Sequence, residues 1–263
     1  MTLIVRPGYG GAAVSDPDAQ AYLQAVEVAD NQALEQGVQQ AVNQFVIGCK
    51  ADGIWNAIKA SCILAGARTR TGALVPLVGA APTSFNFVDA NYDRKTGLVG
   101  DGSTKYLDSN RNNNADPQNS QHLSIWASTP TQEQSLYISS SATTAGSGAS
   151  GIGIWTGNYL FFRSRSTTPT SFANGTGSAT GLIGVSRNSS SAYIIRASQA
   201  NTSSGTASQT SRNGNIIIFG EDGSTGYRSA ARLAFYSIGE SLDLALLDAR
   251  VTALITAFGV AIP

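Results

Sequence analysis

Few side chains in this sequence can do chemistry, and their spacing narrows the choices further. His122 is the only histidine, so any Ser–His or Cys–His nucleophile pair must use it. It opens "QHLSIWAS", where alternation sets it beside Gln121 and Ser124, and it reads as a strand-end histidine with a structural hydrogen bond rather than a base. One histidine and two cysteines, Cys49 and Cys62, exclude a four-ligand zinc centre. If one helix runs between the cysteines they stand about 19 Å apart, beyond disulfide reach. Both therefore read as free thiols of a chain that folds in a reducing cytoplasm. Asp93, Asp101 and Asp108 can offer oxygen ligands to calcium, but they lack the alternating spacing of a calcium loop, and turn-forming aspartate is the expected reading. No cofactor is expected. Glu221 and Asp222, adjacent in "GEDG" at a loop tip, point apart and do not form a general-acid and nucleophile pair. "GIGIWTG" has glycines but no helix behind it to cradle a phosphate. What remains is surface. Phe161, Arg163 and Arg165 share one face of a strand by alternation, and an aromatic with two guanidiniums can stack on a sugar or grip a partner's carboxylate. The plainer alternative is an outward face, with Leu160 and Phe162 filling the core.

The elements that must position these residues follow from composition and pattern. Of 263 residues only 13% are charged, well below the usual quarter, while 42% are hydrophobic, a globular proportion. Seventeen bases cancel seventeen acids, so neither nucleic acid nor an anionic membrane is an expected partner. The distribution is uneven: Asp16, Asp18, Glu27, Asp30 and Glu35 crowd the entry, and no acid lies between Glu133 and Glu221. Acidic entry and mildly basic body can meet in an oligomer; ordinary solubilising charge is the simpler reading. "MTLIVRPGYGG" lacks the apolar core of a signal peptide, and no run approaches a membrane span. The sequons at Asn174, Asn188 and Asn201 read as chance products of a Ser/Thr/Asn-rich sequence.

Residues 1–14 read as an extended arm, and "SDPDAQAYLQAVEVADNQALEQGVQQAVNQFVIG" as the clearest helical passage. Asp16 or Ser15 caps it, Pro17 suits the first helical position, and Gly37 bends or splits it. Its stripe of Tyr22, Val26, Ala29 and Ala33 must dock on the body or on other copies. "KADGIWNAIKASCILAG", residues 50–66, reads as a short amphipathic helix with Ile54, Ile58 and Cys62 on one face, Trp55 in the core and Gly66 at its end. From about Thr83 the period becomes two: "TSFNFV", "HLSIWAS", "SLYIS", "YLFFRSR", "AYIIRAS", "NIIIFG" and "RLAFYSIG" are strand-sized and punctuated by Gly, Asn, Ser or Pro. Ten or more such strands predict a two-sheet sandwich, with "TGN" at 156–158 as a hairpin turn. The chain closes on a helix capped by Ser241 or Asp243, its apolar face Leu244, Leu247, Val251, Leu254 and Phe258, ended by Gly259.

Several of these pieces stand in the order of a known fold. "GLVGDGSTKYLDS", "HLSIWAST", "GLIGVSRNSSSAYIIRAS", "NIIIFG" and above all the ending "ARLAFYSIGESLDLALLDARVTALI" resemble laminin-G-like, concanavalin-type jelly rolls. With "ADGIWNAIKASCILAGA" upstream, roughly residues 50–260 resemble a group of phage virion proteins found as tail fibres or head-surface components. The resemblance implies a mainly β chain with an arm (1–14), a helical mounting segment (15–66) and a jelly-roll sandwich (67–263) ending in a helix over 242–258. It implies a non-enzymatic virion structural protein: a capsid decoration or cement protein, or a small fibre component. The alternative is a tail fibre recognising a host surface glycan. Some enzymes of this fold cleave glycans with two carboxylates on one strand, and the core strands here carry none. Expected partners are other copies of the chain, as a trimer with Tyr9, Tyr22, Val26, Ala29 and Ala33 as anchoring contacts, and the major capsid protein or a tail adaptor. The expected location is the virion, after synthesis in the host cytoplasm.

Overall fold

The computed structural model describes residues 14–141, 148–172, 180–223 and 226–263. Asp16 starts the first helix, α1 (Pro17–Asp30), by accepting from Asp18 N and Ala19 N, and left-handed Asn31 ends it. The helical passage does break, but at residues 31–35 rather than at Gly37, which lies in the first turn of α2 (Gln36–Ala51). Asn43 of α2 accepts from Asp16 N at 3.0 Å and Lys50 Nζ meets Asp16 at 2.7 Å, so the two helices are stitched where the first begins.

The stretch 50–66 is not a helix. Its centre is a strand, β1 (Ile58–Ile63), preceded by a single turn over Trp55–Ala57. Both faces of β1 are covered, and its sequence IKASCI, with Lys59 and Ser61 among apolar residues, has no strict alternation, a texture a short helix can share. Ile58 and Ile63 face the helices, while Ala60, Cys62 and Leu64 face the interior of the sandwich.

The chain continues through a short α3 (Arg70–Ala73), β2 (Pro76–Val78), β3 (Thr83–Phe85), β4 (Tyr92–Asp93), β5 (Gly97–Val99), β6 (Tyr106–Asn112), β7 (Gln121–Thr129) and β8 (Ser135–Ser139). Then come β9 (Ala149–Trp155), β10 (Tyr159–Ser166), β11 (Thr170–Phe172), β12 (Gly181–Arg187), β13 (Tyr193–Ala197), β14 (Ala200–Ser204), β15 (Asn215–Ile218), β16 (Arg232–Gly239) and α4 (Leu244–Ala261). Among the described residues these strands form two antiparallel sheets. One runs β14-β13-β12-β7-β16-β1-β2 with β5 and β4 alongside; the other runs β11-β10-β9-β8-β15-β6-β3. The Trp155–Asn158 turn joins β9 to β10 as the sequence predicts, with Gly157 at φ 84° and Asn158 N donating to Trp155 O.

The molecule is thus a mainly β jelly-roll sandwich with helices on one side. Leu123, Ile125, Ile183, Val185, Ile195, Tyr236 and Ile238 meet Ile152, Ile154, Leu160 and Phe162 between the sheets. A second core lies outside the first sheet, where Phe235 and Leu182 meet Val26, Val38, Phe45, Leu247, Val251, Leu254 and Phe258. α4 carries the predicted apolar face and its Asp243 cap, but it runs through Gly259 to Ala261. By length and composition alone it could cross a bilayer; here that face packs on the sheet. Tyr22 and Val26 are buried in this same core, so α1 docks on its own chain with them, and Ala29 and Ala33 stay half-buried. Tyr9 lies outside the described residues.

Candidate functional site

At one end of the sandwich the interior changes from aliphatic to polar. Along β7, Leu123 and Ile125 face the core, and the next inward position is Gln121, 1% exposed. Gln121 Nε2 donates to Asn113 Oδ1 at 2.8 Å, and its Oε1 accepts from Ser150 Oγ at 2.7 Å. On β12, Val185 is followed inward by Arg187, whose Cζ lies 5.1 Å from the Tyr193 ring centroid. On β10 the pairing with β9 slips between Arg163 and Ser166, and Arg165 sits in the left-handed region at φ 46°. The slip breaks the two-residue period and turns the Arg165 side chain inward.

The expectation that Phe161, Arg163 and Arg165 present an open outward face is therefore corrected. All three are buried, at 2%, 3% and 0% exposure. Phe161 is covered by Trp155, stacked at 5.6 Å, with Leu136 and Tyr227. Arg163 donates to Ser166 O at 2.8 Å and Thr167 O at 2.6 Å. Arg165 reaches Asn113 O at 2.6 Å, Ser120 O at 3.4 Å and Pro117 O. Arg187 donates to Ser164 O, Ser189 O, Ala192 O and Thr206 O at 2.8–3.1 Å. A buried cation is costly unless its donors are satisfied; here main-chain carbonyls take most of them. Burial pulls the Arg165 guanidinium down to about 10, still a cation at neutral pH. Its Nε has no partner among the described residues.

These guanidiniums act as staples for the loops at this end. Arg165 holds the β6–β7 loop, Arg187 the β12–β13 loop and Thr206, and Arg163 the turn after β10. The loops also hold one another: Ser208 N donates to Ser190 O, Gln209 N to Arg165 O, and Arg212 N to Gly148 O. The rim they present is rich in amides and hydroxyls, with Arg212 and the Arg111–Asp116 ion pair among them. Gln118 donates to Ser208 Oγ at 3.0 Å, Ser208 donates to Asn119 at 2.6 Å, and Asn112 donates to Asn213 at 2.7 Å. Fixed polar loops on a rigid sandwich make a contact surface at low ordering cost. Sequence reasoning picked two of the three arginines but not their role; the third, Arg187, stands at an inward strand position after Val185, and that is the signal that finds it.

The other chemical candidates do not converge. His122 is fully buried: its Nδ1 lies 2.6 Å from Glu240 O and its Nε2 2.7 Å from Ser237 Oγ, the structural arrangement its place in the sequence suggests. Burial pushes its pKa down to about 4. Cys49 and Cys62 are free and buried, each thiol pushed up to about 12 by burial. The helix between them used in the distance argument does not exist, since Cys62 lies in β1. Asp93 and Asp101 close turns, taking two and three backbone amides. Asp108 takes Asn110 N and the Asn215 amide. Among the described residues no three His, Cys, Asp or Glu side chains are grouped to hold a metal. Glu221 is buried rather than at an exposed tip.

The fold and this loop end define a jelly-roll β-sandwich. No protein-family model and no curated protein matches the chain. Among solved structures it is similar to the botulinum neurotoxin serotype D binding domain, with TM-score 0.51, 11% identity, and 78% of this chain and 52% of that one covered. It is likewise similar to the binding domain of botulinum neurotoxin DC in complex with rat synaptotagmin II, with TM-score 0.51, 12% identity, and 76% and 52% covered. The chain spans about half the length of these structures, and at such identity the likeness is one of fold.

Proposed function

We propose that this chain is a non-enzymatic structural protein of a bacteriophage particle. It is displayed on the particle surface as a capsid decoration protein or small fibre component, assembled as a trimer and mounted on the major capsid protein or a tail adaptor. The observation that carries the binding part of this reading is the stapled loop end: buried guanidiniums hold polar loops in one shape. The engagement of both His122 nitrogens and the burial of both thiols support adhesion over turnover. The phage assignment rests on the order of the sequence segments that resemble virion proteins. Immunogold labelling of purified particles tests it: label on head or tail is expected, and unlabelled particles beside a positive lysate would refute it. Incubation with bacterial polysaccharides and a reducing-end assay should give no turnover; turnover lost in Glu221→Gln would overturn the non-enzymatic reading.

The amide- and hydroxyl-rich rim favours a second reading, a tail-fibre protein that recognises a host surface glycan. The similar structures are, by description, binding domains, and one is in complex with rat synaptotagmin II. Calcium and other cofactors have no part in either reading.

A further inference from the structure

On the flank of the loop end, the outer face of β12–β14 and the start of α4 enclose a cleft of about 390 Å3. Its lining includes Ser186, Asn188, Ile194, Asn201, Leu242 and Asp243. The volume falls in the roughly 300–1,000 Å3 range of small-ligand sites. Two ties fix its walls. Ser186 Oγ donates to Leu242 O at 2.7 Å and accepts from Leu242 N at 3.1 Å, joining β12 to the entry of α4. Arg196 on β13 grips Asp248 of α4, with Nε and Nη2 at 2.9 and 2.8 Å from Oδ2.

The polar groups lining this space are two amides, a carboxylate and two hydroxyls. Asn188 makes no hydrogen bond to a described residue, so its amide offers a donor and an acceptor. Asn201 accepts from Arg196 Nη1 at 3.2 Å, which leaves its amino group as a donor. Asp243 spends Oδ1 on Ala245 N and Leu246 N, which leaves Oδ2 as an acceptor. Ile194, half-buried, supplies an apolar patch between them. The nearest cation, Arg196, is neutralised by Asp248, and Asp243 adds negative charge, so an anionic ligand is disfavoured. Side-chain amides donate and accept at once, as hydroxyl groups do.

We infer that this cleft binds a neutral saccharide, its hydroxyls on Asn188, Asn201 and Asp243 and its C–H face on Ile194. The inference rests on the binding reading above and adds a site and a ligand class. It is tested by titrating the full chain with neutral oligosaccharides ending in glucose, galactose, mannose or N-acetylglucosamine, read by calorimetry. At least one is expected to bind. The double variant Asn188→Ala/Asn201→Ala, both exposed positions, should weaken it about tenfold or more at unchanged melting temperature. Ile194→Trp, which fills the cleft, should abolish binding. Wild-type affinity in both variants would overturn the site and leave the binding reading standing. Silence of the wild-type chain across the panel would overturn the ligand class; the binding reading itself falls only if the loop end of particle-borne protein contacts no host surface.

Discussion

Arg165 and His122 show how a buried polar residue can hold a surface in shape. Arg165 feeds three carbonyls of one loop. Arg165→Met should cost about 3–5 kcal/mol in chemical denaturation, because those acceptors lose charge-assisted donors in a place water does not reach. Arg165→Lys should recover less than half of this, since an ammonium cannot span the three positions. Unchanged stability in Arg165→Met would contradict the stapling. His122 has a testable pH signature. Its folded pKa of about 4 lies below its ordinary 6.5, so the unfolded chain binds the proton more readily. The contribution is present above pH 6.5 and is lost as pH falls toward 4, by about 3 kcal/mol at most. Asp16 and Glu35, whose pKa values are lowered, lose their contribution at still lower pH. The difference between wild type and His122→Gln across pH 4–7 isolates the histidine, and parallel curves would contradict this account.

At the scale of elements, the strands are legible because Val, Ile, Leu, Phe and Tyr recur in short runs punctuated by Gly, Ser and Asn, although β7, β12 and β16 are buried on both faces, and the long helical segments because each carries an apolar stripe or a capping residue such as Asp16 or Asp243. β1 is not legible, because IKASCI is short and lacks the run of β-branched and aromatic residues that marks the other buried strands, and the Ile54, Ile58 and Cys62 spacing across this stretch fits a helix equally well. The inward turn of Arg165 is illegible for a related reason: a single bulge reverses every face assignment beyond it. Since β1 lies between β16 and β2, the helical segment and the sandwich share one core. Removing residues 14–51 would bare Phe235, Leu182 and the α4 face, and the remainder should aggregate or bind a hydrophobic dye. A soluble remainder with native near-UV circular dichroism would contradict the shared core. Gly66 joins β1 to the next segment at φ 87°, and a Cβ there would stand 2.7 Å from the Phe258 ring. Gly66→Ala should therefore cost about 2–4 kcal/mol and loosen α4, read as faster amide exchange in that helix.

For the whole molecule, the proposed trimer would use the helix layer. Val28 on α1 and Val260 on α4 are 82% and 85% exposed, unlike most large apolar side chains in this chain. The proposed trimer should appear in light scattering of the purified chain, and Val28→Asp with Val260→Asp should shift it toward monomer without unfolding it; a wild-type monomer at every concentration would contradict it. The central claim is that this chain is a built-in component of a phage particle. Absolute quantification of the chain against the major capsid protein in purified particles tests it most directly. A fixed ratio that survives repeated purification is the predicted result; a chain found in the lysate and lost from the particles would contradict it.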